Sequence, residues 1–411
     1  MTVEPMTASA PPVLDAAAAI ASARRAVVAD RYAVDAFATE WQEFSRLEAI
    51  ADEWRALAAR ALTPNVFYEP AFALAAGRVF ARGAGAVLVW SGTRPRKLLG
   101  FFPARIAARR YGLKLPVLMG WTHPFAPLGT PLVEREAAEP VIAAWLAYLA
   151  GNPDLPGLLL LPFLPQDGLF AGALAAILRR RQMPCEAFNC HTRALLEPRG
   201  ERADYVKHAL GARKYGQLRR TMRRLGEAGG LLFTTAAEPA AVPAALEDFL
   251  ALEASGWKGQ AGTAIACREE IRTFVTSAVA ALALEGKVAV DRIVLEERAV
   301  AASITLRSGE CAWFWKIAYD ESLARCGPGA MLSALVTERL ADDVTIARAD
   351  SCAPAEHAVI NRTWRERLPL SDLLIAPRPQ APFAHARRLE LLRRSTIAAV
   401  NGIRHRFPRV G

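Results

Sequence analysis

The stretch Ala312-Trp-Phe-Trp-Lys-Ile-Ala-Tyr-Asp320, followed by Arg325-Cys-Gly-Pro-Gly-Ala-Met-Leu332 and an apolar-periodic run to Leu340, decides the fold. Aromatic and β-branched enrichment, with side chains alternating between faces, predicts a strand. The pair Met331, Leu335 and the series Leu332, Val336, Leu340 recur every four residues and predict a helix. Gly327 and Gly329 lie in the loop between them. Where a strand feeds a helix through glycines, the N–H groups of the first turn lack an intrahelical acceptor, and the missing Cβ lets a diphosphate approach the backbone. Each backbone hydrogen bond to a charged phosphate contributes ~1.5–3 kcal/mol. Three or four of them would approach the ~8 kcal/mol of a micromolar ligand.

Upstream of this unit lies Arg292-Ile-Val-Leu-Glu-Glu-Arg-Ala-Val-Ala-Ala-Ser-Ile-Thr-Leu-Arg-Ser-Gly309, two strand-like runs around a short polar turn. Before that comes a helical run ending in Phe249-Leu-Ala-Leu-Glu-Ala-Ser-Gly-Trp-Lys258. Taken with Val300-Ala-Ala-Ser-Ile304, Lys316-Ile-Ala-Tyr-Asp320 and Gly327-Pro-Gly329, the order resembles the acyl-CoA-binding half of the GNAT acyltransferases. More narrowly it is similar to the CelD/BcsL-like branch, related to the FemAB-type peptidyl transferases, over roughly residues 200 to 370. One departure stands out: the hydrophobic-Asp-Phe-Gly step of that branch reads Ala349-Asp350-Ser351-Cys352 here, keeping the Asp and losing the Gly.

The resemblance implies an α/β (α+β) fold of two GNAT-like halves, each a mixed, mostly antiparallel sheet flanked by helices, with the donor held by the second half. It implies acetyl-CoA or another acyl-CoA as co-substrate, with no metal, on Tyr319, Gly327, Pro328, Gly329, Ala330, Met331 and Leu332. Trp257, Lys258 and Lys316 would then face the acceptor. Three functions follow as expectations: an N-acyltransferase acting on an amine of a polar, saccharide-linked acceptor; a FemAB-like transferase using aminoacyl-tRNA; or a non-catalytic scaffold in polysaccharide biosynthesis.

The rest of the chain bounds these readings. At 411 residues it has room for two or three domains. Hydrophobic content of 53% is high, but much of it is Ala, and no uninterrupted apolar run approaches the ~20 residues of a membrane span. The start of the chain lacks the basic region and apolar core of a secretory signal, so a cytoplasmic protein is expected. The six cysteines form no C-x-x-C pair and suggest neither a disulfide framework nor a zinc site. The net charge of +10 is uneven: Lys207 to Arg224 holds seven basic residues and no acid, and a second basic excess lies beyond Ala376. Such concentrations concern anionic partners rather than fold.

Four segments are expected: an Ala-rich flexible arm (1–37), a degenerate GNAT-like domain (38–198), an acyl-CoA-binding GNAT domain (199–375), and a Pro-rich linker with a basic helix (376–411). Within the first domain, apolar spacing predicts a helix over 39–60 and another from Asn65, then a hairpin of 86–91 and 97–106, helices over 136–149 and 170–181, a strand at 158–161 and two further strands before Pro198. Gly100 to Pro127 and Ala301 to Pro328 each span about 27 residues in the same order of elements, which hints at a duplicated unit.

Two further chemistries are readable. Residues 207–224 form an amphipathic helix with Arg219, Arg220, Arg223 and Arg224 one turn apart, open to acyl-CoA phosphates, an acidic sugar polymer or tRNA. Nucleic acid is the weakest of these, since only Tyr205 and Tyr215 could stack a base. Asp350, expected at the end of a strand over 344–349, and His357 are the candidate general bases for an ammonium nucleophile. The basic helix over 385–407, with Leu389, Leu392, Ile397, Val400 and Ile403 along one side, either docks on the protein's own core or touches a membrane surface.

Overall fold

The structure, a computed structural model, describes residues 37–92, 94–198, 200, 202–227 and 229–393. In chain order the first half contains β1 (Phe37–Glu43), α1 (Ala51–Ala58), α2 (Pro70–Phe80), β2 (Ala84–Ser91), β3 (Leu98–Ala107), β4 (Val117–Gly120), β5 (Leu132–Val133), α3 (Ala138–Gly151), β6 (Leu159–Pro165), α4 (Leu169–Arg180) and β7 (Cys185–Leu196). The second half contains α5 (Tyr205–Leu210), α6 (Ala212–Glu227), β8 (Leu231–Ala236), α7 (Val242–Ser255), α8 (Trp257–Gln260), α9 (Glu269–Leu284), β9 (Val288–Leu295), β10 (Arg298–Ser308), β11 (Cys311–Tyr319), α10 (Pro328–Asp342), β12 (Arg348–Asp350), α11 (Ile360–Thr363) and β13 (Glu366–Ile375). Residues 383–393 form α12.

The strands join one mixed sheet in the order β1-β2-β3-β4-β6-β13-β7-β12-β11-β10-β9-β8, with β5 beside β3. Read inward from either edge, the halves repeat: three antiparallel pairings, then one parallel pairing, β4 with β6 in the first half and β11 with β12 in the second. The centre is an exchange. β7 closes the first half in sequence yet pairs with the second half's β12, whereas β13 closes the second half yet pairs with β6. The two exchanged strands are antiparallel to each other.

Aromatic side chains from both halves meet in one core, with Phe72 against Phe274 and Trp315 at 5.5 Å and Phe67 against Trp313 at 5.9 Å. Separate clusters fill the space under α3 and α4 and under α5, α6 and α10. A shared core and exchanged strands fix the halves relative to each other, because separating them would expose both apolar faces and two rows of strand hydrogen bonds.

Several expectations are corrected. The region 39–60 is not one helix: Phe37–Glu43 is the edge strand β1, followed by a 3-10 turn and then α1. The helical spacing of Trp41, Phe44 and Leu47 carries the expectation, but β2 leaves an edge open to Trp41 and the strand forms there. One twelve-residue strand, β7, stands where two were expected. The basic helix is broken at Gly211 (φ 78°) into α5 and α6. The helix from Val242 ends at Ser255, and Trp257 opens the short α8. The strand expected over 344–349 is confined to Arg348–Asp350. The flexible arm lies outside the described residues except for Phe37, as do residues 394–407 of the basic helix.

The described part of that helix docks on the protein itself. Phe383, Ala386 and Leu389 pack against Leu115, Leu158 and Phe188. Buried Glu390 accepts hydrogen bonds from Arg110 at 2.7 Å and Tyr111 at 2.8 Å. Leu392, expected on the same apolar side as Leu389, is exposed.

Candidate functional site

The central feature is a divergence of strands. β12 pairs with β11 only across Cys311–Trp313, after which Ser351 turns to β7, donating its N–H to Ala194. Phe314 to Tyr319 therefore keep β10 on one side and, among the described residues, no strand on the other. Into this opening points the start of α10. Gly327 takes the left-handed conformation (φ 65°) that a residue with Cβ adopts at a cost, and Pro328 occupies the first helical position, where its missing N–H is not needed.

The first turn is leaner than expected. Gly327 donates its N–H to Ala324 and Met331 donates to Gly327, both at 3.0 Å, which leaves the N–H groups of Gly329 and Ala330 free among the described residues. Two bonds of ~1.5–3 kcal/mol each give ~3–6 kcal/mol rather than the expected eight. Ser333 donates its hydroxyl to the Gly329 carbonyl at 2.8 Å, which holds the turn in place. A Cβ at Gly329 would sit 2.8 Å from the Tyr319 ring, so glycine keeps open the gap between strand and helix.

Between them lies a cavity of about 420 Å³ lined by Lys258, Lys316, Tyr319, Gly327, Gly329, Ala330 and His357 among others. Sequence reasoning thus brought seven of its site residues to one place. The rest lie elsewhere. Pro328, Met331 and Leu332 are buried, the last two in the core beneath α10. Trp257 is 61% exposed at an adjoining depression that shares Lys258 and Tyr319 with the cavity. Its N–H donates to Glu321 at 2.9 Å.

Asp350 is buried beside the cavity, not on its wall. One carboxylate oxygen accepts from the guanidinium of Arg193, itself buried and donating to the Pro127 carbonyl at 2.9 Å; the other accepts the Cys352 N–H at 3.0 Å. With both oxygens committed, Asp350 anchors the loop. Cys352 occupies the position of the missing glycine and has φ 52°, so the loop keeps a glycine-like conformation with a larger side chain. Burial holds its thiol well above the ordinary range. His357 lines the cavity, its Nδ1 accepting the Ile360 N–H at 3.3 Å.

The two lysines differ. Lys258 pairs at 2.7 Å with buried Glu253, whose other oxygen accepts the Ile265 N–H. Among the described residues Lys316 makes no such pair: its ammonium lies 4.3 Å from the centre of the Phe125 ring and 5.6 Å from that of Trp315. Burial first, then the charge of Lys258, hold it down to about 8. The Asp of the Tyr-Asp motif, Asp320, is structural, capping the turn before Gly327 through the Ser322 N–H and pairing with Arg298.

Sequence reasoning missed Arg193, Phe125 and His123, each contributed by the first half. A single Arg before Ala194-Leu195-Leu196 was the available signal for Arg193; nothing local marked the other two. The first half's own counterpart of the opening is filled, since a Cβ on Gly129 would lie 1.9 Å from the Pro162 carbonyl oxygen of β6.

Residues 212–358 match the family model described as an acetyltransferase (GNAT) domain. This segment is a GNAT-type domain. No curated protein matches the sequence. Among solved structures, FemX aligns with a TM-score of 0.53 at 8% identity, covering 79% of this chain and 95% of its own. The C-terminal domain of a protein described as a lysylphosphatidylglycerol synthetase, from Agrobacterium fabrum, aligns with a TM-score of 0.50 at 11% identity, covering 80% and 92%. At such identities the likeness concerns the fold alone. The GNAT domain supports an acyltransferase that uses acyl-CoA; among the described residues no helix is long and apolar enough to cross a membrane and no side-chain cluster could hold a metal ion.

Proposed function

We propose that the protein transfers an acyl group from acyl-CoA, in the simplest case acetyl-CoA, to an amine of a polar acceptor such as a saccharide-linked amine. The observation that supports this reading is the single cavity in which the Gly329 and Ala330 N–H groups, the one-sided strand Phe314 to Tyr319 and titratable side chains all converge. A linear donor arm bearing amides can lie along the unpaired strand, as an added strand would, while its diphosphate takes the helix N-terminus. Tyr319 and the helix start then hold the donor, and Trp257, Lys258 and Lys316 border the acceptor. Such an enzyme chiefly positions the reactants, and a base frees the amine. His357 and Lys316 face the reaction space, whereas Asp350 holds the loop that carries Cys352.

Calorimetric titration with acetyl-CoA and free CoA tests the reading, beside Gly329→Asp, which places a carboxylate in the cradle. Binding by the parent and loss in the variant are expected; absence of binding by both refutes it. A second reading, an aminoacyl-tRNA donor, is favoured by one observation. Arg213, Lys214, Arg219, Arg220, Arg223 and Arg224 of α6 are all exposed, and the helix's apolar stripe packs on Leu323 and Cys326 just before the cradle. Steeply salt-dependent tRNA binding without a response to CoA would select it.

A further inference from the structure

We infer that Lys316 is the proton acceptor of the acyl transfer, the group that frees the attacking amine. The inference rests on the acyltransferase reading and names a residue that sequence reasoning assigned only to acceptor contact.

The first observation is a β-bulge. In the pairing of β10 with β11, Ile304 faces Lys316 and Thr305 faces Phe314, so Trp315 is the extra residue. A bulge re-aims the side chains that follow it. Without it, Lys316 would share the face of Phe314, which packs under α10 and also borders the cavity; with it, Lys316 follows Trp315 to the side where Phe125 lies.

The second observation is that Lys316 has no acid of its own among the described residues. Asp350 is committed to Arg193, and Glu253 to Lys258 and the Ile265 N–H. Aromatic faces of Phe125 and Trp315 are its close neighbours. The charged and titratable groups around it are Lys258 of α8, Glu253 of α7, Cys352 after β12 and His123 after β4. Lys258 and burial favour the neutral amine; Glu253 and Cys352 oppose them, and the balance lies near 8. His123 is itself buried against Phe80, held down to about 3 by burial and by Lys316, and its Nε2 has no partner among the described residues. It therefore adds no charge. About a tenth of Lys316 is neutral at pH 7, against less than a thousandth of an ordinary lysine.

The proton balance closes. An acceptor ammonium gives one proton to neutral Lys316, and the free amine attacks the thioester carbonyl. The C–N bond forms and the C–S bond breaks; the nitrogen sheds its second proton to solvent, and Lys316 returns its proton to the departing CoA thiolate. Like charge from Lys258 favours that return. His357, its ring fixed by the Ile360 N–H, is then a wall of the cavity rather than the base.

The test uses the full chain, with Lys316→Arg as a permanently charged variant, Lys316→Met as a folding control, and His357→Gln. Lysines are labelled by reductive ¹³C-methylation and titrated by NMR, and CoA release is followed against pH with acetyl-CoA and glucosamine as the amine probe. The expected result is a resonance with a midpoint near 8 that is absent from both Lys316 variants. Lys316→Arg should lose at least ~10²-fold in kcat while acetyl-CoA affinity stays within threefold, and His357→Gln should keep the parental pH midpoint. A Lys316 midpoint above 10, or unchanged kcat and pH midpoint in Lys316→Arg, overturns the inference. Failure of the parent to bind acetyl-CoA would instead remove the acyltransferase reading beneath it.

Discussion

Replacing Gly329 by Ala adds a single methyl where strand and helix face each other. The added Cβ would lie 2.8 Å from Cδ1 of Tyr319 and 3.2 Å from Cε1, closer than carbon atoms tolerate. Tyr319 is 38% exposed, so its ring can swing outward, but the methyl still narrows the gap between strand and helix through which a phosphate reaches the two N–H groups. Losing one of the two charge-assisted bonds costs ~1.5–3 kcal/mol, a ~10- to 150-fold rise in Kd for CoA. Gly329→Asp adds a like charge and should abolish measurable binding. The fold should not suffer, because Ala is preferred over Gly in a helix by up to ~1 kcal/mol. Calorimetry for affinity and a thermal melt for stability separate the two effects. Both variants binding CoA within twofold of the parent, with unchanged melting, would refute the cradle at Gly329 and Ala330.

Other predictions follow from buried charges. Asp350→Asn or Arg193→Met leaves a buried charge without its partner and should destabilise by ~3–5 kcal/mol in urea unfolding, whereas Arg193→Met with Asp350→Leu should recover much of the loss. Lys316, depressed in the folded protein from 10.5 to about 8, costs stability most fully below pH 8 and progressively less as pH rises toward 10.5. Lys316→Met should therefore show a stability advantage over the parent about 2 kcal/mol larger at pH 7 than at pH 10, measured by urea titration at both. Glu390→Ala removes the acceptor shared by Arg110 and Tyr111 and should free α12, seen as faster proteolysis between residues 376 and 393 while the rest of the chain stays protected.

Much of the second half was legible because its signals are local. The turn at Glu296 and Glu297, the strand of Trp313 and Trp315 and the helix after Gly327-Pro328-Gly329 each follow from backbone stereochemistry or side-chain period within a dozen residues. Lys258, Lys316, Tyr319, Gly327, Gly329 and His357, singled out by such signals or by the resemblance, line one space. Local signals failed where a helical spacing met an open sheet edge, as at Trp41, and where a short strand exists only because a neighbour offers it hydrogen bonds, as at Arg348–Asp350.

By itself the sequence determined the order of strand, glycine loop and helix and the two-half plan, and it marked residues that line one cavity. Tertiary structure alone decided the surroundings of those residues. Arg193, 157 positions before Asp350, ties that carboxylate down as an anchor; Phe125, from the other half, lays an apolar face against Lys316; and a bulge in the pairing of β10 and β11 puts that lysine on the side of Phe125. Ionisation depends on burial and on the nearest charge, and neither exists until the chain has closed on itself.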